Sequence, residues 1–163
     1  MSGMADAPHV IGLISDTHGL VRPDVHTSLA GVELILHAGD VGGGDVLMEL
    51  ALIAPVRAVR GNTDPHDDPP LPAEIGLTVG GVRIHVSHGH EVGGPTPTRL
   101  LERYDADVIV YGHTHKQLVT HVGDRWVVNP GAAGPRRFDL LPSVAKLTIA
   151  GGAVEVETLD LAP

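Results

Sequence analysis

Several short apolar runs in this chain stop beside a glycine and an aspartate, asparagine or histidine, and this feature limits the fold most. Residues 10–14 end at Ser15 and open onto Asp16-Thr17-His18-Gly19. Residues 34–36 pass through His37-Ala38 into Gly39-Asp40, and residues 56–59 pass through Arg60 into Gly61-Asn62-Thr63-Asp64. Later, residues 82–86 lead through Ser87 to His88-Gly89-His90, and residues 108–111 lead to Gly112-His113-Thr114-His115. Runs this short and this rich in Val, Ile and Leu read as buried strands rather than helices. Segments 24–29 and 45–52 lie between the first three and have helical character. Pro23 stands before the first, and Asp45 is the expected N-cap of the second. Strand, helix, strand, helix, strand predicts a parallel sheet with crossover helices.

The second half reads differently. Residues 75–79 and 82–86 flank Gly80-Gly81, residues 118–122 and 126–129 flank Gly123-Asp124, and residues 144–149 and 154–159 flank Ala150-Gly151-Gly152. Each pair is a hairpin pattern. Segment 97–104 is expected to be helical with Leu100 and Leu101 turned inward. An α/β half joined to a largely antiparallel half is therefore expected. Residues 65–72 read as a surface loop, and neither a repeat nor a linker interrupts the chain, so residues 1–163 are expected to form one domain with 1–8 as a frayed tail. Trp126, Tyr104, Tyr111 and Phe138 are the only aromatic residues, so the core must be aliphatic.

Composition narrows the chemistry. With no cysteine, disulfides, thiolate metal sites and thiol nucleophiles are excluded together. A metal would have to be held by His, Asp, Glu, Asn or water, which suits Mn, Mg, Fe, Ni or Zn. The formal net charge of −9 argues against a nucleic-acid surface, and against phosphate substrates unless bound cations reverse the local sign. No apolar run approaches the length of a signal peptide or membrane span, so a soluble cytoplasmic protein is expected.

The five polar clusters each follow the C-terminal end of an expected strand, the edge at which open α/β sheets bind ligands. Asp16, His18, Asp40, Asn62, His88, His113 and His115 are the metal-ligand candidates. Residues at i and i+2 in extended chain point the same way, so Asp16 with His18 could share one ion. His113 with His115 could likewise face one site. Seven donors exceed what one ion needs while leaving room for substrate, and a carboxylate such as Asp40 can bridge two cations. Two ions about 3.5–4 Å apart can share a hydroxide and clamp phosphate oxygens, the chemistry of phosphate-ester hydrolysis.

The ordered set Asp16-x-His18, Gly39-Asp40, Gly61-Asn62, His88-Gly89 and Gly112-His113-x-His115 resembles the calcineurin-like metallophosphoesterases. The short length, Asn129-Pro130-Gly131 and the closing hairpin resemble the small prokaryotic YfcE-like phosphodiesterase branch. The resemblance implies two facing mixed β-sheets flanked by helices, a four-layer α/β/β/α sandwich of the α/β (α+β) class. It implies two divalent ions, manganese first, with Ni, Fe, Zn or Mg as alternatives. Asp16, His18, Asp40 and His115 would hold one ion, and Asp40, Asn62, His88 and His113 the other, with Asp40 as the bridge. The expected activity is phosphodiester or phosphomonoester hydrolysis of a small phosphate-ester substrate by a metal-bridging hydroxide. Related small members also suggest a homo-oligomer. The chain departs from the pattern at Thr63, where many members place a leaving-group histidine, and at Ala132, where serine is common. Asp64 and His90 are the candidates to donate the missing proton. Thr63 and Arg136 are candidate substrate contacts, Arg136 together with Arg137, although a solvated loop face is the simpler reading of the arginines.

Taken singly, each residue has a plainer explanation. Asp16 and Asp40 suit turns or caps, Gly61-Asn62 is a common turn dipeptide, and a lone histidine is more often structural. The ordered set carries the metal reading. His37 and His85 lie within expected strands and read as structural, while His9, His26, His66 and His121 read as solvated or locally hydrogen-bonded. Tyr111 and Trp126 read as core, and residues 64–68 as an exposed acidic loop. Two competing functions are a protein-binding scaffold, as in the vacuolar sorting subunit of retromer with the same fold, and a nucleotide-specific phosphohydrolase.

Overall fold

The structure, a computed structural model, describes residues 7–67, 70–137 and 139–162. Most of the expected tail therefore lies outside the described residues, as do Asp68 of the acidic loop and Phe138. In chain order the elements are β1 (His9–Ile14), α1 (Pro23–Ser28), β2 (Leu34–His37), α2 (Gly44–Leu50), β3 (Val56–Ala58), β4 (Glu74–Val79) and β5 (Val82–Ser87). A 3-10 turn (His90–Val92) and α3 (Pro97–Arg103) follow, then β6 (Val108–Val110), β7 (Leu118–Val122), β8 (Arg125–Asn129), β9 (Ser143–Ala150) and β10 (Ala153–Asp160).

Among the described residues ten strands make two five-stranded sheets, ordered β10-β9-β1-β2-β3 and β4-β5-β6-β8-β7. In the first sheet β1, β2 and β3 are parallel, as their crossover helices require. All three expected hairpins form. Two expectations about the second half fail. Strands β5, β6 and β8 are mutually parallel, so the centre of the second sheet is not antiparallel. The closing hairpin belongs to the first sheet instead, where β9 pairs antiparallel with β1. Local patterns fix which strands share a tight turn, but partners reached by longer connections are chosen by packing.

The packing produces the expected four layers. Ile11, Leu13, Leu36, Leu147 and Ile149 from the first sheet meet Ile84, Val86, Val108, Val110 and Val128 from the second in one aliphatic core. The outer face of the first sheet, with Ile14 and Ile35, is covered by Val25 and Leu29 at α1 and by Val46 and Leu50 of α2. The outer face of the second, with Ile109 and Val127, is covered by Leu100 of α3 and by Tyr104. Leu100 is fully buried, while Leu101 is only partly so. Each fully buried Leu or Ile contributes about 1.5–3 kcal/mol relative to exposure. Thr96 caps α3 by accepting the Arg99 N–H at 3.2 Å. Asp45 does not cap α2. That helix begins after Gly43, whose φ of 119° an aspartate would adopt only under strain, and Asp45 sits in the first turn, still near the positive end of the helix. Among the described residues no helix is long and apolar enough to cross a membrane.

Because β1, β2, β3, β5, β6 and β8 run in parallel within their sheets, the loops after them gather along one edge of the sandwich. Those loops carry the polar clusters read from the sequence.

Candidate metal centre

Five non-glycine residues have positive φ: Asp16 (54°), His18 (45°), Asp40 (55°), His113 (72°) and His115 (66°). All five are ligand candidates, and among the described residues no other non-glycine shares this conformation. Left-handed backbone costs an L-residue about 1–2 kcal/mol, so the surrounding fold must hold these loops in place.

The strain aims donor atoms at one point. Asp16 Oδ1 lies 3.4 Å from His115 Nε2, 3.8 Å from His18 Nε2 and 3.9 Å from His88 Nε2. Asp40 Oδ2 lies 3.2 Å from His88 Nε2 and 3.7 Å from His18 Nε2. Asp16 Oδ1, His18 Nε2 and His88 Nε2 are buried and have no hydrogen-bond partner. Buried polar atoms without partners are costly, and three converging at one place indicate a missing partner. Ligand bonds of about 2.0–2.2 Å put neighbouring donors roughly 3.0–3.5 Å apart, close to the spacing here. Asp16, His18 and His115 could hold one metal ion, and Asp16, Asp40 and His88 another. Asn62 Oδ1 lies 3.2 Å from His113 Nδ1, and the His113 ring centroid lies 5.1 Å from that of His88.

The other oxygen of each carboxylate is engaged elsewhere. Asp16 Oδ2 accepts the Ser15 hydroxyl at 2.6 Å and the His113 N–H at 3.1 Å. Asp40 Oδ1 accepts the Thr63 N–H at 2.9 Å. Each aspartate therefore presents one oxygen to the cluster, Asp16 Oδ1 and Asp40 Oδ2. His88 Nδ1 donates to the Ala38 carbonyl at 2.8 Å, leaving the Nε2 lone pair aimed into the cluster. Side chains are excluded at two neighbouring glycines. A Cβ on Gly61 would strike Asp40 Oδ1, and one on Gly112 would strike Ser15 Oγ.

The electrostatics agree. Burial would raise the Asp16 carboxyl, but His115, His88 and Ser15 hold it below its ordinary value. Burial also opposes ionisation of Asp40, yet His88 and the Thr63 amide hold it far below the usual carboxylate range. Burial would lower His88, but Asp40 and Asp16 raise it. His113 is lowered by burial and by His88. The site is built for positive charge.

The remaining candidates separate by geometry. His90 is near, its ring centroid 5.4 Å from that of His88 and 6.2 Å from that of His113. Thr63 is exposed and contributes its amide to Asp40. Arg136 and Arg137 are exposed and line a depression with His115. Asp64 is buried, and its oxygens accept the backbone N–H groups of Val41, Gly42 and Gly61. His37 is fully buried between Thr17 and the Gly39 amide, and His85 stacks on Tyr104 at 3.7 Å; neither joins the cluster. His9 pairs with Glu33 and His26 with Glu49, while His121 stacks on Trp126 at 3.9 Å away from the cluster.

Two positioning residues escaped the sequence reading. Ser15 orients Asp16. Buried Asn129 donates to the Gly112 carbonyl at 3.2 Å and to Thr114 Oγ1 at 3.0 Å, and accepts the Gly131 N–H at 2.9 Å. Its place in Asn129-Pro130-Gly131 was a visible signal, but not its reach to the His113–His115 loop.

The pattern of the calcineurin-like phosphoesterase superfamily domain matches residues 10–152. The chain belongs to this superfamily. As a member it is 37% identical over 161 residues to a probable metallophosphoesterase of Methanothermobacter thermautotrophicus, covering 92% of this chain and 91% of that one. It is 27% identical over 139 residues to a phosphodiesterase of Methanocaldococcus jannaschii, covering 74% of this chain and 82% of the other. Similar solved structures include Vps29 from Cryptosporidium parvum, with a TM-score of 0.79 and 24% identity over 97% of this chain and 100% of that one. Another is a novel archaeal phosphodiesterase, with a TM-score of 0.73 and 23% identity over 93% of this chain and 99% of that one. The structural likenesses establish the shared fold, and the sequence matches fit the small prokaryotic branch of this calcineurin-like superfamily.

Proposed function

We propose that the protein is a phosphodiesterase working with two divalent metal ions on a small phosphate-ester substrate. The observation that carries this reading is the convergence of unpartnered, buried Asp16 Oδ1, His18 Nε2 and His88 Nε2 at one edge of the sandwich, with Asp16 and His18 held in left-handed backbone. Asp16, His18, Asp40 and His115 would hold the first ion. Asp40, Asn62, His88 and His113 would hold the second, with Asp40 shared. The 3.2 Å between Asn62 Oδ1 and His113 Nδ1 suits two donors of one ion as well as it suits a hydrogen bond. Bound ions would supply Lewis-acid charge to phosphate oxygens and acidify a water. The nitrogen and oxygen donor set suits manganese, with Ni, Fe, Zn or Mg as alternatives.

The chain's own groups have separable tasks. Ser15 and the His113 amide hold one Asp16 oxygen so that the other faces inward. Arg136 and Arg137, which line a depression with His115, would meet a phosphate that enters beside it. His90, with its ring centroid 5.4 Å from that of His88 and its Nδ1 3.8 Å from Glu91 Oε1, would be the candidate to pass a proton to a leaving group. Among the described residues no aromatic side chain stands ready for a base at the cluster, Trp126 being stacked with His121 and Tyr111 buried, which does not favour a nucleotide-specific substrate.

The test is turnover of bis-p-nitrophenyl phosphate with Mn²⁺ or Ni²⁺, alongside metal analysis. Metal-dependent hydrolysis is expected, and Asp40→Asn should reduce kcat/KM at least a hundredfold. Wild-type protein with two ions bound and no turnover on a phosphodiester panel would defeat the enzymatic reading. Metal-independent capture of one partner by that inactive protein would favour a scaffold of this fold.

A further inference from the structure

The loops after β2 and β3 hold each other through reciprocal carboxylates. Asp40, on the first loop, accepts the Thr63 N–H of the second at 2.9 Å. Asp64, on the second, accepts the Val41 N–H at 2.9 and 3.2 Å on its two oxygens and the Gly42 N–H at 3.2 Å. It also accepts the Gly61 N–H of its own turn at 2.9 Å. Asp64 is 9% exposed, and all of these contacts are with main chain. A carboxylate accepting several N–H groups makes strong, charge-assisted bonds. An asparagine could not replace it, because its NH₂ would point at another N–H donor.

The positions of these amides give the clasp its significance. The Val41 N–H belongs to the peptide that follows Asp40, whose φ of 55° is held against its local preference. The Gly61 N–H lies one residue before Asn62. His88 leans on the same first loop through the Ala38 carbonyl, and His113 reaches Asn62. Asp40 and Asn62 therefore sit on the clasped loops, and His88 leans on one of them. The loop after β1 leans on that same loop, Asp16 N–H donating to the Gly39 carbonyl and His18 N–H to the Asp40 carbonyl, both at 3.0 Å, so donors of both proposed ions bear on the clasp.

We infer that Asp64 is a positioning residue that sets, through the main chain, the metal donors bearing on the loop after β2, rather than a proton donor to substrate. This inference rests on the two-ion reading above.

The experiment uses full-length Asp64→Asn, stripped with chelator and titrated calorimetrically with Mn²⁺. Metal analysis and circular dichroism accompany the titration. Affinity for Mn²⁺ should fall about 10–100-fold, the range typical of outer-sphere partners. Asp67→Asn removes the same charge from an exposed neighbour in the turn and should leave that affinity within about threefold. A folded Asp64→Asn that binds both ions like wild type, or an Asp67→Asn that shows the same loss, would overturn the inference. If Asp64→Asn does not fold, amide hydrogen exchange on the unaltered metal-free chain decides. Protection of the Val41 and Gly61 N–H groups together is expected, and exchange at open-loop rates overturns the clasp. Wild-type protein that takes up no ion refutes the two-ion reading, and the same exchange measurement still judges the clasp on its own.

Discussion

His37 should make the metal-free protein sensitive to mild acid. Its ring lies wholly inside the fold. Thr17 Oγ1 gives its proton to the Val41 carbonyl at 2.7 Å, so it must accept from His37 Nε2 at 2.9 Å. His37 Nδ1 accepts the Gly39 N–H at 3.1 Å. One nitrogen donates and the other accepts, which describes a neutral ring. A second ring proton would face the Gly39 N–H. Burial lowers the pKa to about 4 against an ordinary 6.5, although Asp16 and Asp64 pull it upward. Protons therefore favour the unfolded chain. The contribution is fully present above about pH 6.5 and is lost as pH falls towards 4. At about 1.4 kcal/mol per pKa unit, the loss between pH 7.5 and 4.5 is about 2–3 kcal/mol. Urea unfolding of chelator-treated wild type and His37→Leu at several pH values isolates the effect, because acid effects common to both cancel. The stability gap between the two should narrow by that amount on acidification. Parallel pH profiles, or a gap that widens towards acid, would refute the assignment of a neutral buried ring.

Asn129→Ala should destabilise the protein by about 2–4 kcal/mol, since it strands the buried Gly112 carbonyl and Gly131 N–H. The shift in urea midpoint, with m unchanged, measures this, and a loss below about 0.5 kcal/mol would contradict it. Adding Mn²⁺ to chelated protein at about a hundred times the dissociation constant should stabilise it by about 2.7 kcal/mol per site. Calorimetric Tm should rise by at least about 5 °C, and an unmoved Tm would argue against ion binding to the folded chain.

The sequence exposed the donors because strand ends and ligand pairs are local. Asp16, His18 and Asp40 could be found from short apolar runs that stop at glycine. Their left-handed backbone could not be, because local preference opposes it in aspartate and histidine. Asp64 was legible only as an acid near the site, since its partners come partly from another loop. Asn129 was visible as part of a turn, but its hold on the Gly112 carbonyl depends on β8 lying parallel to β6. The same non-local choice hid the parallel centre of the second sheet and sent the closing hairpin to the first. The expected cap at Asp45 failed because the loop before α2 ends in Gly43, and its backbone geometry rather than a side chain starts the helix.

The five left-handed residues carry a consequence for how this chain can drift. Strain of about 1–2 kcal/mol at each is comparable in total with the net stability of an ordinary domain. Glycine at any of Asp16, His18, Asp40, His113 or His115 would relax the backbone while deleting a donor side chain. Random change in a copy released from its chemical task therefore has a downhill route at these same five positions. Such a copy would shed backbone strain together with its donors, while the aliphatic core between the two sheets would be untouched.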